Sequence, residues 1–188
     1  EARKLKLVIL AEGVNPEQMV DLRGEPGVGA RFREVIMRSG LAIQSESLHR
    51  VACLQAAAVI IPSTAHESGA QTNADAETVK ALLSIASQAR RSEMPLPFCV
   101  AELQDIRKLP VLERAYPDAV EVVAGDATIS RLIAQNLRHP GLSDVYNELF
   151  SGSDGNELYV RSGEAFKGQS LAEVAASRPH AIVLGLLK

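Results

Sequence analysis

The sequence predicts an α/β fold that is built on a mainly parallel sheet. Short runs of aliphatic and β-branched residues alternate with segments of helical periodicity, which is the order of repeated strand–helix–strand units. Hydrophobic residues make up 46% of the 188-residue chain but aromatic residues only 4%, so the core is expected to be aliphatic. Such a core is typical of a parallel sheet that is covered by helices.

Five apolar runs are predicted to be the strands of this sheet. Each is rich in Val, Ile, Leu or Ala and is followed by a turn or a helical segment. Because right-handed crossovers through helices make successive strands parallel, we expect a Rossmann-like sheet. The predicted strands are Leu5–Ala11, Arg33–Met37, Ala57–Ile61, Phe98–Ala101 and Val120–Val123.

The segments between these strands are predicted to be mostly helical. Residues 24–32 are expected instead to form a loop, because their glycines lack the spacing of a dinucleotide-binding turn and follow no strand. Asp126 is the predicted N-cap of the helix after the last strand. The predicted helices are Pro16–Arg23, Ser45–Leu54, residues 73–90, Gln104–Ala115 with a break near Pro110, and residues 126–138.

Two amphipathic helices adjoin a sharp turn at Pro140 and Gly141. The first, residues 126–138, is expected to pack on the sheet through its apolar stripe of Ile129, Leu132 and Ile133. The second presents another apolar stripe, which either the C-terminal residues or a second copy of the chain would cover. This second stripe consists of Leu142, Val145, Tyr146, Leu149 and Phe150.

Residues 152–188 are predicted to begin a small α+β C-terminal lobe. After a turn-rich linker, they contain a predicted strand at Leu158–Arg161, a helix at Ser170–Ala176 and a strand at Ala181–Leu187. We therefore expect three parts: a Rossmann-like domain (residues 1–138), a crossover helix (residues 139–151) and this lobe. The first strand begins almost at the first residue, so the chain is expected to be a piece of a longer protein.

Charge and composition argue against several classes of protein. The formal net charge is −3 and charges of both signs are interspersed, so the sequence predicts no nucleic-acid partner and no lipid-binding patch. Cys53 and Cys99 lie far apart in apolar segments and are expected to be reduced core residues of an intracellular protein. The longest apolar runs are too short to span a bilayer, and no signal peptide is visible.

Four polar residues are predicted to form a ligand-binding site. Glu12, Ser63, Glu102 and Asp126 each lie at or just past the carboxyl end of a predicted strand, where doubly wound sheets bind ligands. Glu12 takes the position from which such folds contact a ribose hydroxyl. Three carboxylates at one edge could instead bind Ca²⁺. The alternative is that each of the four caps a helix or faces water.

The sequence predicts neither a catalytic centre nor a zinc site. The four histidines are scattered, without the paired spacing of zinc ligands. Ser63, Thr64 and His66 lack the strand–turn–helix context of an activated nucleophile. Neither cysteine has a neighbouring cation in the sequence that would favour a thiolate.

Seven segments carry a resemblance to a known family. They are LVILAE (Leu7–Glu12), MRSG (Met37–Gly40), SLHRVACLQAAAVIIPS (Ser47–Ser63), NADAETVKALLSI (Asn73–Ile85), CVAELQD (Cys99–Asp105), VVAGDATISRLIAQNLRHPGLSDVYNELF (Val122–Phe150) and ELYVR (Glu157–Arg161). In this order they resemble the regulator-of-K⁺-conductance (RCK) domain of Castor/Pollux-type ion channels. The resemblance implies a cytosolic, ligand-sensing domain that assembles with copies of itself into a gating ring. It also implies control of cation flux through the membrane-embedded pore of the same polypeptide, and a helix pair around Pro140 that joins neighbouring copies.

One unit of such domains is missing from this chain. They normally begin with a strand, a glycine-rich turn and a helix ahead of the strand that here is Leu5–Ala11. The missing strand would be central in the sheet, and its turn would bind pyrophosphate. We therefore expect a gap that is left open by truncation or is filled by a strand of this or another chain. Binding of NAD or ATP by this chain alone is expected to be weak at best.

Two functions are left open by the sequence. The first is the non-catalytic gating-ring domain that the resemblance implies. The second is a fragment of a nucleotide-dependent Rossmann-fold enzyme such as a reductase. That enzyme would need a glycine-rich phosphate turn and a catalytic Lys, Tyr or His in register, and neither is visible. Transmembrane helices encoded upstream would favour the channel.

Overall fold

A computed structural model describes residues 6–63, 71–151 and 158–186, with the backbone alone for residues 71–73. The chain forms two compact units, Glu1–Ala134 and Gln135–Lys188. The three-part division expected from the sequence, with boundaries after residues 138 and 151, stays a prediction. Within the described ranges, no helix is both long enough and apolar enough to cross a membrane.

The described residues of the first unit contain five strands, in the order that the sequence predicts. β1 (Leu7–Ala11) pairs with β2 (Val35–Ser39), and β4 (Cys99–Leu103) lies between β3 (Val59–Ile61) and β5 (Val120–Ala124). All of these pairings are parallel. The predicted α/β fold class with parallel strands is therefore confirmed.

These strands form two separate sheets. β1 and β2 make a two-stranded sheet, whereas β3, β4 and β5 make a three-stranded one. Such a division is the result expected when the central strand of a Rossmann-like sheet is missing, because its two neighbours then have no common partner. In the part of the chain that the structure describes, β1 pairs only with β2 and β3 only with β4, so each has one unpaired backbone edge.

The described residues contain seven α-helices, of which α1 and α7 begin with a capping box. In α1 the Asn15 side chain accepts a hydrogen bond from the Gln18 N–H, and in α7 the Ser170 side chain accepts one from the Glu173 N–H. The helices are α1 (Pro16–Gly24), α2 (Ser45–Arg50), α3 (Gln71–Arg91), α4 (Leu109–Ala115), α5 (Gly125–Arg138), α6 (Leu142–Ser151) and α7 (Leu171–Ala176).

Several predicted helix boundaries are wrong for local reasons. The helix predicted over Ser45–Leu54 ends at Arg50, because Ala52 adopts a left-handed backbone with φ 53°, and a separate 3₁₀ turn follows it. Pro110 does not break a helix; it lies in the first turn of α4, where its missing N–H is not needed. Asp126 is not an N-cap, since α5 already begins at Gly125. Gly29–Glu34 forms a 3₁₀ helix that includes the end of the predicted loop and the first residue pair of the predicted strand, Arg33 and Glu34, so this strand begins at Val35 instead.

The core of the first unit lies between the three-stranded sheet and helices α3 and α4. Alternate residues of β4 are fully buried on one face, which is the pattern of a strand that is covered by helices. Tyr116, at the end of α4, is also fully buried, and its hydroxyl donates a hydrogen bond to the Pro97 carbonyl at 2.6 Å. The core side chains with no exposed surface are Leu82, Cys99, Ala101, Leu103, Leu112 and Tyr116.

The apolar stripe of α5 is not covered in the way that the sequence predicts. Ile129 and Ile133 are 58% and 65% exposed, whereas Leu132 is half-buried. The prediction that all three pack on the sheet is therefore wrong for Ile129 and Ile133. Helical spacing predicts that a stripe exists but not which surface covers it.

The second unit has no buried side chain among its described residues. The two strands predicted in it, Leu158–Arg161 and Ala181–Leu187, are also not formed: residues 158–161 and 182–186 contain no strand. Leu187 lies outside the described residues. A strand needs a neighbouring strand to accept and donate its backbone hydrogen bonds, and neither segment has one among the residues that the structure describes. The predicted helix at Ser170–Ala176 does form, as α7, with Ser170 as its N-cap.

Candidate functional site

Glu102 is the centre of a polar cluster at the carboxyl ends of β3 and β4. Its side chain is half-buried, and both of its carboxylate oxygens accept hydrogen bonds. The Ser63 N–H donates to Oε2 at 2.9 Å, and Nε2 of Gln104 donates to Oε1 at 2.9 Å. Two of the predicted site residues, Ser63 and Glu102, are therefore in direct contact. The two donors hold the carboxylate in one orientation.

Asp75 of α3 forms the second part of this cluster and is only 1% exposed. Its carboxylate accepts hydrogen bonds from the backbone N–H of Gln104 at 2.7 Å and of Asp105 at 3.3 Å, and from Nζ of Lys108 at 2.6 Å. Three donors compensate the buried carboxylate for the hydration that it loses. Asp75 thus fixes the backbone that follows β4.

A cavity of about 520 Å³ adjoins this cluster at the start of α5. A Cβ atom added to Gly125 would lie 3.4 Å from Oε1 of Glu102, which shows how closely α5 approaches it. Asp126 lies in the first turn of α5, and its Oδ1 accepts a hydrogen bond from the Ala127 N–H at 2.6 Å. The cavity is lined by Asp75, Gln104, Asp105, Ile106, Arg107, Lys108 and Asp126.

Asp105 and Arg107 form an ion pair at the edge of the cavity, with 2.8 Å between Oδ2 and NH2. Hydrogen bonds from the Arg107 side chain and backbone N–H lower the pKa of Asp105 to about 2. The pKa of Arg107 is raised, first by its hydrogen bond to Asp105 and then by the charges of Asp105 and Asp126. Both side chains are therefore charged at neutral pH.

Replacing Arg107 by alanine is expected to raise the pKa of Asp105 from about 2 toward the usual aspartate value of about 3.9. The lowered pKa stabilises the folded chain fully above pH 4, and this contribution is lost as the pH falls from about 4 to about 2. An NMR titration of the Asp105 side-chain carboxyl would measure the shift. An unchanged pKa in the variant would contradict the assigned ion pair.

The structure brings together three of the four predicted site residues. Ser63 touches Glu102, and Asp126 lies in the wall of the adjoining cavity. Glu12 follows β1, which belongs to the other sheet, and is not among the lining residues. Among the described residues, no three His, Cys, Asp or Glu side chains are grouped so that they could hold a metal ion. The calcium hypothesis for Glu12, Glu102 and Asp126 is therefore wrong for this geometry. Thr64 and His66 lie outside the described residues.

Besides Asp105, four residues that build this site were not predicted from the sequence: Asp75, Gln104, Arg107 and Lys108. The burial of Asp75 could have been predicted, because it lies three and seven residues before Thr78 and Leu82, which are buried on the same face of α3. A carboxylate at a buried helical position needs donors, and the polar segment that follows β4 was the place to look for them. The other three had no signal beyond lying at a strand end.

The arrangement is suited to binding rather than to covalent chemistry. The carboxylate oxygens of Glu102 and Asp75 already accept hydrogen bonds from N–H donors of the chain itself. The accessible charges are those of Arg107, whose side chain is 86% exposed, and of Asp126, which is also exposed. A ligand in the cavity would therefore meet a cation and an anion in fixed positions.

A second candidate site is the apolar stripe of α6, considered within the second unit alone. Tyr146 and Phe150 stack with ring centroids 6.1 Å apart and an interplanar angle of 9°. Val145 and Phe150 are 50% and 67% exposed, whereas Leu142, Tyr146 and Leu149 are half-buried. An exposed cluster of aliphatic and aromatic side chains is typical of an interaction surface.

Comparisons with known proteins extend this picture along nearly the whole chain. A family model described as "Castor and Pollux, part of voltage-gated ion channel" matches residues 126–188. The probable ion channel CASTOR of Oryza sativa subsp. japonica is 27% identical over 180 residues, which cover 96% of this chain and 19% of that protein. The predicted resemblance to Castor/Pollux-type channels is confirmed. The ion channel CASTOR of Lotus japonicus is 26% identical over 180 residues, which cover 96% of this chain and 20% of that protein.

This Castor/Pollux-like chain therefore spans about a fifth of the length of the curated relatives it matches. Among solved structures, the human SLO3 gating ring is similar with a TM-score of 0.56 and 16% sequence identity. The match covers 84% of the Castor/Pollux-like chain and 30% of the SLO3 chain. At this level of identity the likeness concerns the fold alone.

Proposed function

We propose that the chain is a ligand-sensing regulatory domain of a Castor/Pollux-like ion channel. One observation carries the proposal: 96% of the chain aligns with proteins named as ion channels. The similar fold of a gating ring supports it. Because the chain corresponds to about a fifth of such proteins, the pore belongs to the rest of the polypeptide. The chain itself acts on the cytosolic side of the membrane and controls cation flux without catalysis.

The ligand of this domain binds in the cavity beside Glu102. Fixed charges of both signs line it, in Arg107 and Asp126, and the hydrogen-bonded Asp75 makes its floor rigid. A ligand shifts the equilibrium between two conformations of the domain only if it binds one of them more tightly than the other. We therefore place the sensing role on Arg107 and Asp126, whose exposed side chains carry the charges that a ligand in the cavity would contact.

Assembly into a ring proceeds through the helix pair around Pro140. The stripe of α6 supplies an exposed aromatic pair, Tyr146 and Phe150. The exposed Ile129 and Ile133 of α5 supply a second apolar surface. These two side chains were predicted from the sequence to pack on the sheet. Contact between identical surfaces of two copies would bury the stripe of α6 without any other partner.

The experiment that tests the sensing role is a flux measurement on the full-length channel in liposomes. NAD serves as the probe, and cation flux is followed against its concentration. In the variant Arg107→Gln, Asp126→Asn we expect unchanged flux without probe. We also expect the probe concentration for half of the maximal response to rise at least about tenfold, which corresponds to about 1.4 kcal/mol of lost binding energy.

A matched control is Glu77→Gln, which removes an exposed charge of α3 that pairs with Lys80 outside the cavity. It should leave both the flux and its response unchanged. A wild-type protein that conducts no ions, or whose flux does not respond to NAD, would contradict the proposed function. Equal responses of the wild type and the double variant would contradict the assigned site.

A further inference from the structure

The three-stranded sheet of the first unit has one covered face and one exposed face. Cys99, Ala101 and Leu103 of β4 are fully buried in the core that helices α3 and α4 cover. The side chains between them in sequence point to the other face of the sheet. There, Ile60 of β3 and Val123 of β5 are 71% and 49% exposed. An apolar part of the sheet is therefore in contact with water.

The strand register places the side chains of this exposed face in two rows. Ile60 is aligned with Val100 and Glu121 in one row, and Glu102 is aligned with Val123 in the next. The two rows lie about 6–7 Å apart along the strands. Because parallel sheets nearly always have helices on both faces, the expected cover of this face is a helix with an apolar stripe.

Helix α5 carries a stripe of this kind. Its Ile129 and Ile133 are 58% and 65% exposed, although they belong to the same unit as the sheet. The two residues are one helical turn apart, about 6 Å along the helix axis, which is close to the distance between the two rows of the sheet. The chain thus contains an exposed apolar sheet face and an exposed apolar helix stripe, and neither covers the other within one copy.

We propose that α5 of one copy packs through Ile129 and Ile133 on the exposed sheet face of a second copy, and that the second copy does the same in return. The inference rests on the self-association proposed above, and it names the surface that the stripe of α5 contacts. Because each copy donates a helix and receives one, a two-fold pair is closed and needs no third component.

The size of this contact indicates its contribution to assembly. The four aliphatic side chains, two on the helix and two on the sheet, are each about half to three-quarters exposed. Made twice in a closed pair, the contact would remove roughly 800 Å² of their surface from water, against about 1,200–2,000 Å² for a stable interface. The contact of α5 with the sheet therefore adds to the surface of α6 and does not replace it.

Two double variants of the 188-residue chain test the contact by sedimentation velocity. The helix variant is Ile129→Asp, Ile133→Asp, and the sheet variant is Ile60→Lys, Val123→Lys. Each alone is expected to self-associate at least about 100-fold more weakly than the wild type, because charges would have to be buried against an apolar surface. An equimolar mixture should associate at least about tenfold more tightly than either variant alone, since a mixed pair keeps one native contact and brings opposite charges together in the other.

The control Thr128→Asp, Gln135→Asp adds two charges to exposed polar positions on another side of α5 and should associate like the wild type. At concentrations where all chains are monomeric, the helix variant should melt within about 4 °C of the wild type, because its two positions are exposed. A larger loss would show that α5 packs on its own sheet and would overturn the proposal. A mixture that associates no more tightly than the separate variants would also overturn it, even if replacing Tyr146 and Phe150 abolishes self-association.

Discussion

Replacing Asp75 by alanine is expected to lower the free energy of unfolding by about 3 kcal/mol. The substitution leaves the backbone N–H groups of Gln104 and Asp105 without their acceptor, and it leaves the Lys108 ammonium without its partner. Since Asp75 is only 1% exposed, bulk water does not solvate these donors in the folded chain as it does at the surface. The loss should also loosen the wall of the cavity beside Glu102.

Urea unfolding followed by circular dichroism would measure this effect. Asp75→Asn keeps one acceptor oxygen and should lose only part of the stability, because one of the N–H groups can remain bonded. Glu77→Ala on the same helix breaks an exposed ion pair with Lys80 and should cost less than about 0.5 kcal/mol. If Asp75→Ala were no worse than Glu77→Ala, the buried network would not be what holds the segment after β4.

The second large effect is expected on assembly. With Tyr146 and Phe150 both replaced by aspartate, the chain should be a folded monomer, with its self-association weakened at least about 100-fold. The wild-type surface loses water from its apolar area on association, which contributes about 25 cal/mol per Å². Two carboxylates at its centre would instead have to be buried without partners.

Sedimentation velocity over a range of concentrations would measure the association, and circular dichroism would confirm that the variant is folded. The matched control is Ser143→Asp, Asn147→Asp, which adds the same two charges to exposed polar positions of α6. This control should associate like the wild type. A wild type that is monomeric at high concentration would contradict the proposed interface.

The strands of the first unit could be predicted because their signal is local. Val59–Ile61 and Val120–Ala124 consist almost wholly of aliphatic and β-branched residues, a composition that is typical of strands. The order of strands and helices then determined their parallel pairing. Ser63 and Glu102 could be predicted as site residues for the same reason, since strand ends are visible in the sequence.

The remaining features depend on partners that lie far away in the sequence. Ile129 and Ile133 have the same spacing whether a sheet, a second copy or water faces them, so the sequence did not reveal their exposure. The donors of Asp75 lie about 30 residues along the chain, and no local pattern joins the two segments. The tail segments at residues 158–161 and 182–186 have strand-like composition, but composition does not provide a neighbouring strand.

The division of the strands into two sheets has a practical consequence for the handling of this chain in solution. An unpaired strand edge is a template for another chain, and proteins usually protect such edges with charges, prolines or a covering segment. β1 and β3 instead present Leu7, Val8 and Ile60, which are 42%, 40% and 71% exposed. Isolated copies of the chain should therefore also aggregate slowly through these strand edges, without a fixed stoichiometry. This growth would persist after Tyr146 and Phe150 are replaced, and thioflavin T fluorescence would separate it from the reversible dimer.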